Sequence, residues 1–287
     1  MLYKGRALTK TVERKFVGVI VKEKLEKFAQ YGSSNYEGKK DDLISWLVEG
    51  APLEHRNVED ITAKVMLVNF LAIHTTAITT TNALFNLAAR QEYIGPLRAE
   101  IEEVTRAHGW TKESMDRLQK LDSFMKESSR LSEAAGLSMN RKVTKDFTFS
   151  NGLTIPAGYT VVVASEGIHT DPEIYEDPHT FKGFRFCEGR NTGADSESDP
   201  LRRRMVSVDP TFLLFGHGRN ACPGRFFAVN EVKALLAHIL LNYDLKLPGD
   251  ATEQEKLAPN RTDCASTCNP RGHVRLPAQI KNGAEHN

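Results

Sequence analysis

Over most of the chain, hydrophobic and polar positions recur with a helical period; short β-like runs come only past the middle. Helices are predicted at 10–30 and 40–52, separated by the polar loop YGSSNYEGKK. Asn57 stands where a capping residue belongs, with Glu59 and Asp60 in the first turn of a long helix that runs to about Arg90. At ~1.5 Å per residue that helix is on the order of 50 Å long. Its apolar residues occupy most faces, the pattern of a helix buried in something large. Two further helices are predicted, from about Tyr93 to Ala107 and from about Ser114 to Glu133.

The character changes after Gly136. The segment RKVTKDFTFSNGLTIPAGYTVVVAS carries β-like runs around the turns Ser150-Asn151-Gly152 and Pro156-Ala157-Gly158. A polar, irregular stretch from Cys187 to Pro200 leads towards FLLFGHGRNACPGRFFAVNEV, and a last helix is predicted from about Pro223 to Asn242. Past Leu247 the tail is polar with weak strand signals. The fold class is mainly α with a small β region (α+β), without internal repeats. No apolar run is expected to approach the ~18 residues of a spanning helix, and the N-terminus shows no signal peptide or anchor.

Charge narrows the function classes. The 287 residues carry 38 Lys+Arg against 37 Asp+Glu, a balance that argues against a nucleic-acid partner. Four cysteines in a chain of this length are too few for a disulfide scaffold and favour a reducing compartment.

One of those cysteines sits in a distinctive setting. Cys222 lies among Gly216, Gly218 and Gly224, is followed by Pro223, and stands at the start of a helix. A helix N-terminus stabilises a thiolate through its free N–H groups and dipole, and Pro suits the first helical position. Glycines let backbone approach something flat and close. An iron–porphyrin ligand requires such an arrangement. A buried cysteine at an ordinary helix start and a nucleophilic cysteine enzyme are the alternatives, although no His and Asn/Asp pair presents itself at a recognisable spacing for the latter.

The full spacing Phe215-x-x-Gly218-x-x-x-Cys222-x-Gly224 resembles the ligand loop of the haem-thiolate monooxygenases, the cytochrome P-450 superfamily, in its filamentous-fungal form. The resemblance extends from about Val58 to Leu247. It implies haem b as cofactor and Cys222 as the axial iron ligand, with Phe215, Gly218, Asn220 and Gly224 around it. KESSR, with Glu127 and Arg130 on one helix face, and FKGFRF, with Arg185, resemble the family's buried three-residue network. Read alone, the Glu–Arg pair is an ordinary surface pair. In FLAIHTTAITTT, Thr75 falls on the family's proton-delivering alcohol, Ala72 on the small residue beside it, and His74 where an acid is usual. Arg141 in MNRKVTKD matches an arginine that pairs with a haem propionate.

On this resemblance the chain is a single, incomplete, N-terminally truncated domain. Its parts are preceding helices (1–56), a long distal helix (57–90), a Glu-x-x-Arg helix (114–133), a β region with the Arg185 segment (137–186), a loop with the cysteine (187–224) and a final helix (225–247). The implied function is oxidation of a hydrophobic, terpenoid-like small molecule with O2 and electrons from NADPH through a cytochrome reductase. Relatives sit on the cytoplasmic face of the endoplasmic reticulum; this chain, without an anchor, is expected in the cytosol. A non-catalytic remnant and a haem-thiolate isomerase or dehydratase are rival readings. Cys264 and Cys268 read as exposed thiols, Arg202-Arg203-Arg204 as a solvated loop or a surface for an acidic redox partner, and Asn260-Arg261-Thr262 as a sequon. Cys187 has no assigned role.

Overall fold

A computed structural model describes residues 2–33, 39–132, 136–187 and 204–247, with side chains from residue 15 onward. Cys264, Cys268, the sequon, Arg202, Arg203, most of the 187–200 loop and the C-terminal tail lie outside the described residues. The helices are α1 (Leu2–Tyr31), α2 (Leu43–Gly50), α3 (Val58–Ala89), α4 (Ile94–His108), α5 (Lys112–Arg117), α6 (Gln119–Leu131), α7 (Ser165–His169) and α8 (Arg225–Asn242). Among the described residues there are also four short strands, β1 (Ser138–Lys142), β2 (Phe147–Thr148), β3 (Thr154–Ile155) and β4 (Thr160–Val163), and the fold is mainly helical as expected.

The chain groups into two units, Met1–Thr75 and Thr76–Asn287, with the division falling inside α3. In the first unit, Val21, Val48, Ala51, Ile61 and Val65 form a small core joined by Val17, Leu25 and Phe28. Asp42 caps α2 by accepting the Ser45 N–H at 3.0 Å, and Lys24 pairs with the same carboxylate at 3.0 Å. Asn57 Oδ1 accepts the Asp60 N–H at 2.9 Å, so the long helix begins at the cap its sequence calls for.

In the second unit, Ala83 and Leu87 of α3, Leu97 and Ile101 of α4, Leu121, Phe124 and Met125 of α6, and Val232, Leu236 and Leu240 of α8 share one core. Arg98 reaches from α4 to the end of α8, donating to the carbonyls of Leu240 at 2.6 Å and Tyr243 at 2.8 Å. A guanidinium there satisfies carbonyls that the helix itself leaves open and faces the negative end of its dipole. Strands β1 and β4 pair antiparallel with a register shift between Ser138 and Arg141, while β2 and β3 form a hairpin whose turn holds Gly152 at φ +86°.

Three expectations need correction. The helix predicted from Ser114 to Glu133 is two helices, broken at Leu118. Thr111 caps α5 locally, but α6 is capped from elsewhere: the Glu100 carboxylate on α4 accepts the N–H groups of Lys120 at 2.7 Å and Leu121 at 3.0 Å. Secondly, α8 starts at Arg225 rather than at Pro223, which lies in the preceding turn with Gly224 as the N-cap, while its end at Asn242 is the one expected. Thirdly, α3 is long and apolar enough, by length and composition, to cross a membrane. Its threonines and asparagines break the apolar run to the eye, yet no Asp, Glu, Lys or Arg occurs between Lys64 and Arg90.

Candidate functional site

The loop from Phe212 to Cys222 is folded back by backbone bonds. Gly216 N–H donates to Leu213 O at 2.9 Å, Ala221 N–H to Gly218 O at 3.1 Å, and Cys222 N–H to Phe215 O at 2.8 Å. Gly216 and Gly218 sit at φ +68° and +71°, the left-handed region where a side chain is strained. Arg225, in the first turn of α8, fixes the cysteine's backbone: its Nη1 donates to Cys222 O at 2.8 Å and its Nε to Val206 O at 3.1 Å. The sequence gives no special sign of this role, because an arginine in a first helical turn normally reads as solvated.

Cys222 itself is half-buried and reduced. A Cβ built at Gly224 would meet its Sγ at 4.0 Å, an ordinary van der Waals contact. Phe215 is half-buried, whereas Asn220 lies exposed in the short 3-10 turn Gly218–Asn220. Arg141 is exposed on β1 and donates to Asn140 O at 2.8 Å. The same strand reaches the loop, since a Cβ at Gly216 would touch Met139 Cγ at 3.9 Å.

Beside this loop lies a buried charge network. Arg130 grips Glu127 through two parallel bonds, Nε to Oε2 and Nη2 to Oε1, each 2.8 Å, with both side chains fully excluded from solvent. Arg185 Nε reaches both Glu127 oxygens at 3.2 Å, and the Lys182 N–H donates to Oε1 at 3.0 Å. The remaining guanidinium nitrogens are taken by carbonyls: Arg130 Nη1 by His169 and Pro178, Arg185 by Glu176, Asp177 and Thr180. Tyr175 lies under Arg130 with its ring centre 4.8 Å from the guanidinium carbon. Burial pushes its phenol up to about 12, so it is neutral while it donates to Thr211 O at 2.8 Å. The structure thus brings Glu127, Arg130 and Arg185 together and joins α6 to the segment that carries Arg185.

A second buried pair was not signalled by the sequence. Lys233 Nζ on α8 lies 2.5 Å from Asp122 Oδ1 on α6, and Asp122 Oδ2 accepts the Met205 N–H at 2.7 Å. Lys126 is also buried, its ammonium 4.5 Å from the Phe186 ring centre and 4.8 Å from that of Phe212. Desolvation pushes that amine down to about 8.

Thr75 and His74 belong to the first unit, where both are exposed. Thr75 Oγ1 donates to Leu71 O at 2.6 Å, a bond back to its own helix, and His74 packs its ring 4.5 Å from that of Phe70. Cys187 Sγ donates to Phe184 O at 3.3 Å, and Arg204 pairs with Asp116.

A model of the Cytochrome P450 family matches residues 4–270. The chain belongs to the cytochrome P450 family. Cytochrome P450 monooxygenase 71 of Postia placenta is 42% identical over 238 residues, covering 83% of this chain and 47% of that protein. Cytochrome P450 monooxygenase 151 of the same organism is 46% identical over 233 residues, 80% of this chain and 46% of the relative. An ent-kaurene oxidase of Gibberella intermedia is 36% identical over 239 residues, 82% of this chain and 42% of the relative. This P450 chain therefore spans about half the length of the curated relatives it matches.

P450 proteins bind haem, and the residues around Cys222 fit a thiolate-ligated haem. A soft, half-buried sulfur donor stands on a loop whose backbone is fixed by Phe215 and Arg225, and open space lies over Gly218 where a side chain would otherwise project.

Proposed function

We propose that this chain is the haem-binding part of a monooxygenase that oxidises a hydrophobic, terpenoid-like small molecule, using O2 and electrons passed from NADPH through a reductase. The observation that carries the reading is the free, half-buried thiol of Cys222, on a loop turned by Gly216 and Gly218 immediately before α8. The substrate class rests on the relative named ent-kaurene oxidase. The two units are read as parts of one P450 domain.

Haem bound through a thiolate supplies the oxidising power to activate dioxygen and attack an unactivated C–H bond. The protein's own part is to hold and to deliver. Cys222 would hold the iron through its sulfur, and Arg225 and Phe215 fix the cysteine's backbone. Gly216, Gly218 and Gly224 keep the loop close and bare. Asn220 and Arg141 are the donors proposed for the propionates. Glu127, Arg130 and Arg185 are structural: they join α6 to the segment leading to the loop and touch no substrate.

Thr75 and His74 are proposed as the groups that would hold and relay a proton on the side of α3 when haem is bound. In this structure the Thr75 hydroxyl donates to Leu71 O, so that role would require the side chain to turn away from its own helix. A Thr75→Val variant should then consume NADPH with less product formed.

The reading is tested with Cys222→Ser. The reduced, carbon-monoxide-bound wild type should show the red-shifted thiolate Soret band, and the variant should lose it. Survival of that band in the variant would overturn the assignment. Oxygen uptake dependent on NADPH and a reductase, measured over a terpenoid panel, tests the reaction itself.

A further inference from the structure

The link between the buried charge network and the cysteine loop is a residue that no motif singled out, His169 at the end of α7. It is fully buried. Its carbonyl accepts from Arg130 Nη1 at 2.5 Å, while its Nε2 accepts the Leu213 N–H at 2.9 Å. Its ring stacks on Phe212, centroids 5.3 Å apart and planes 21° from parallel. The amide donates, so Nε2 serves here as a hydrogen-bond acceptor.

We propose that His169 is a positioning residue which sets the path of the Phe212–Cys222 loop and, through it, the place of the Cys222 sulfur. The proposal rests on Cys222 as the iron ligand. Leu213 is buried, and His169 Nε2 is the acceptor that satisfies its N–H. Leu213 O accepts Gly216 N–H, and Phe215 O accepts Cys222 N–H, so the turn that Leu213 begins leads directly to the residue that holds the cysteine. The entrance of the loop is also held by Tyr175 on Thr211 O and by Lys126 over the Phe212 ring. Among the described residues, His169 is the side chain that bonds to the loop at the residue where its turn starts.

Two substitutions separate the acceptor from the ring. His169→Gln offers an amide oxygen near the place of Nε2 but gives up the stacking; His169→Phe keeps the stacking and gives up the acceptor. Two readouts are taken on each. One is the fraction of the reduced, carbon-monoxide-bound holoprotein with the thiolate Soret band. The other is the rate at which iodoacetamide alkylates Cys222 before haem is added, read by peptide mass spectrometry.

Loss of an acceptor for a buried N–H should shift the balance between held and displaced loop by roughly 5- to 150-fold. His169→Phe should therefore lower the thiolate fraction and alter the alkylation rate, and His169→Gln should return both towards wild type. Wild-type values for both readouts in His169→Phe would overturn the proposal. So would a Gln variant as deranged as the Phe variant, including failure of both to fold, because ring packing would then be the contribution of His169. A wild type without a thiolate band would refute the ligand reading of Cys222 instead, while the alkylation rates would still report whether His169 places the loop.

Discussion

Glu127→Gln removes one negative charge from beneath two guanidinium groups and leaves the shape of the site nearly unchanged. In the native protein that carboxylate receives two bonds from Arg130 at 2.8 Å, contacts from Arg185 Nε at 3.2 Å, and the Lys182 N–H at 3.0 Å. Arg130 has no exposed side-chain surface and Arg185 has 11%. Neither cation can recover its hydration where it sits. Breaking a buried pair by removing one partner costs about 3–5 kcal/mol, against a total stability of about 5–15 kcal/mol for a folded domain. With a slope of about 2 kcal/mol per molar urea, the midpoint should fall by about 2 M. Following the urea transition by circular dichroism in wild type, Glu127→Gln, Arg185→Leu and the double variant tests both the size and its origin. The double variant should be less destabilised than the sum of the singles, because removing Arg185 relieves part of the uncompensated positive charge. A Glu127→Gln midpoint corresponding to less than about 1 kcal/mol would refute the reasoning, since an effect that small belongs to a hydrated surface pair.

Two more outcomes follow from the packing around this network. A Cβ added at Gly183 would meet Tyr93 Cε1 at 2.6 Å and Phe124 Cδ2 at 2.9 Å, in a cluster of aromatic rings with no room to withdraw, so Gly183→Ala should cost about 1–3 kcal/mol in the same urea assay, and an unchanged midpoint would contradict the close approach. For Lys126, the amine titrates near 8 when folded and near 10.5 when unfolded, so between those values the unfolded chain binds more protons and stability rises with pH. The rise approaches about 3 kcal/mol at most, offset in part by the attraction of the Phe186 and Phe212 rings for the cation. Lys126→Met should abolish the rise, and parallel pH profiles from 7.5 to 9.5 for the two proteins would refute it.

The sequence exposes some of this architecture and hides the rest for identifiable reasons. Asn57 was readable as a cap because its partner, the Asp60 amide, lies within the same turn. Glu127 and Arg130 share a helix face by spacing alone, but Arg185 enters only through the resemblance of FKGFRF, since no local rule joins residues that are 58 apart. The break at Leu118 contains neither Gly nor Pro; Glu100 caps α6 from 20 residues away in the chain, and a periodic pattern cannot show that. Asp122, Lys126 and Lys233 look like the polar face of surface helices, and only tertiary packing reveals them as buried. His169 lies in a stretch with no periodic signal, and its partners are backbone groups, which carry no side-chain signature.

Arg130 holds contacts that are 3, 39 and 48 residues distant along the chain, and Glu127 adds others at 55 and 58. No pair of these segments alone makes the site tolerable: a docked α6 without the Arg185 segment, or without α7, would strand a dehydrated ion. Partial opening is therefore penalised almost as heavily as complete opening. The amide hydrogens of Lys182 and Leu213, both donated to this assembly, should exchange with deuterium at one common slow rate, that of unfolding the whole second unit, although they lie in irregular segments outside any helix or strand.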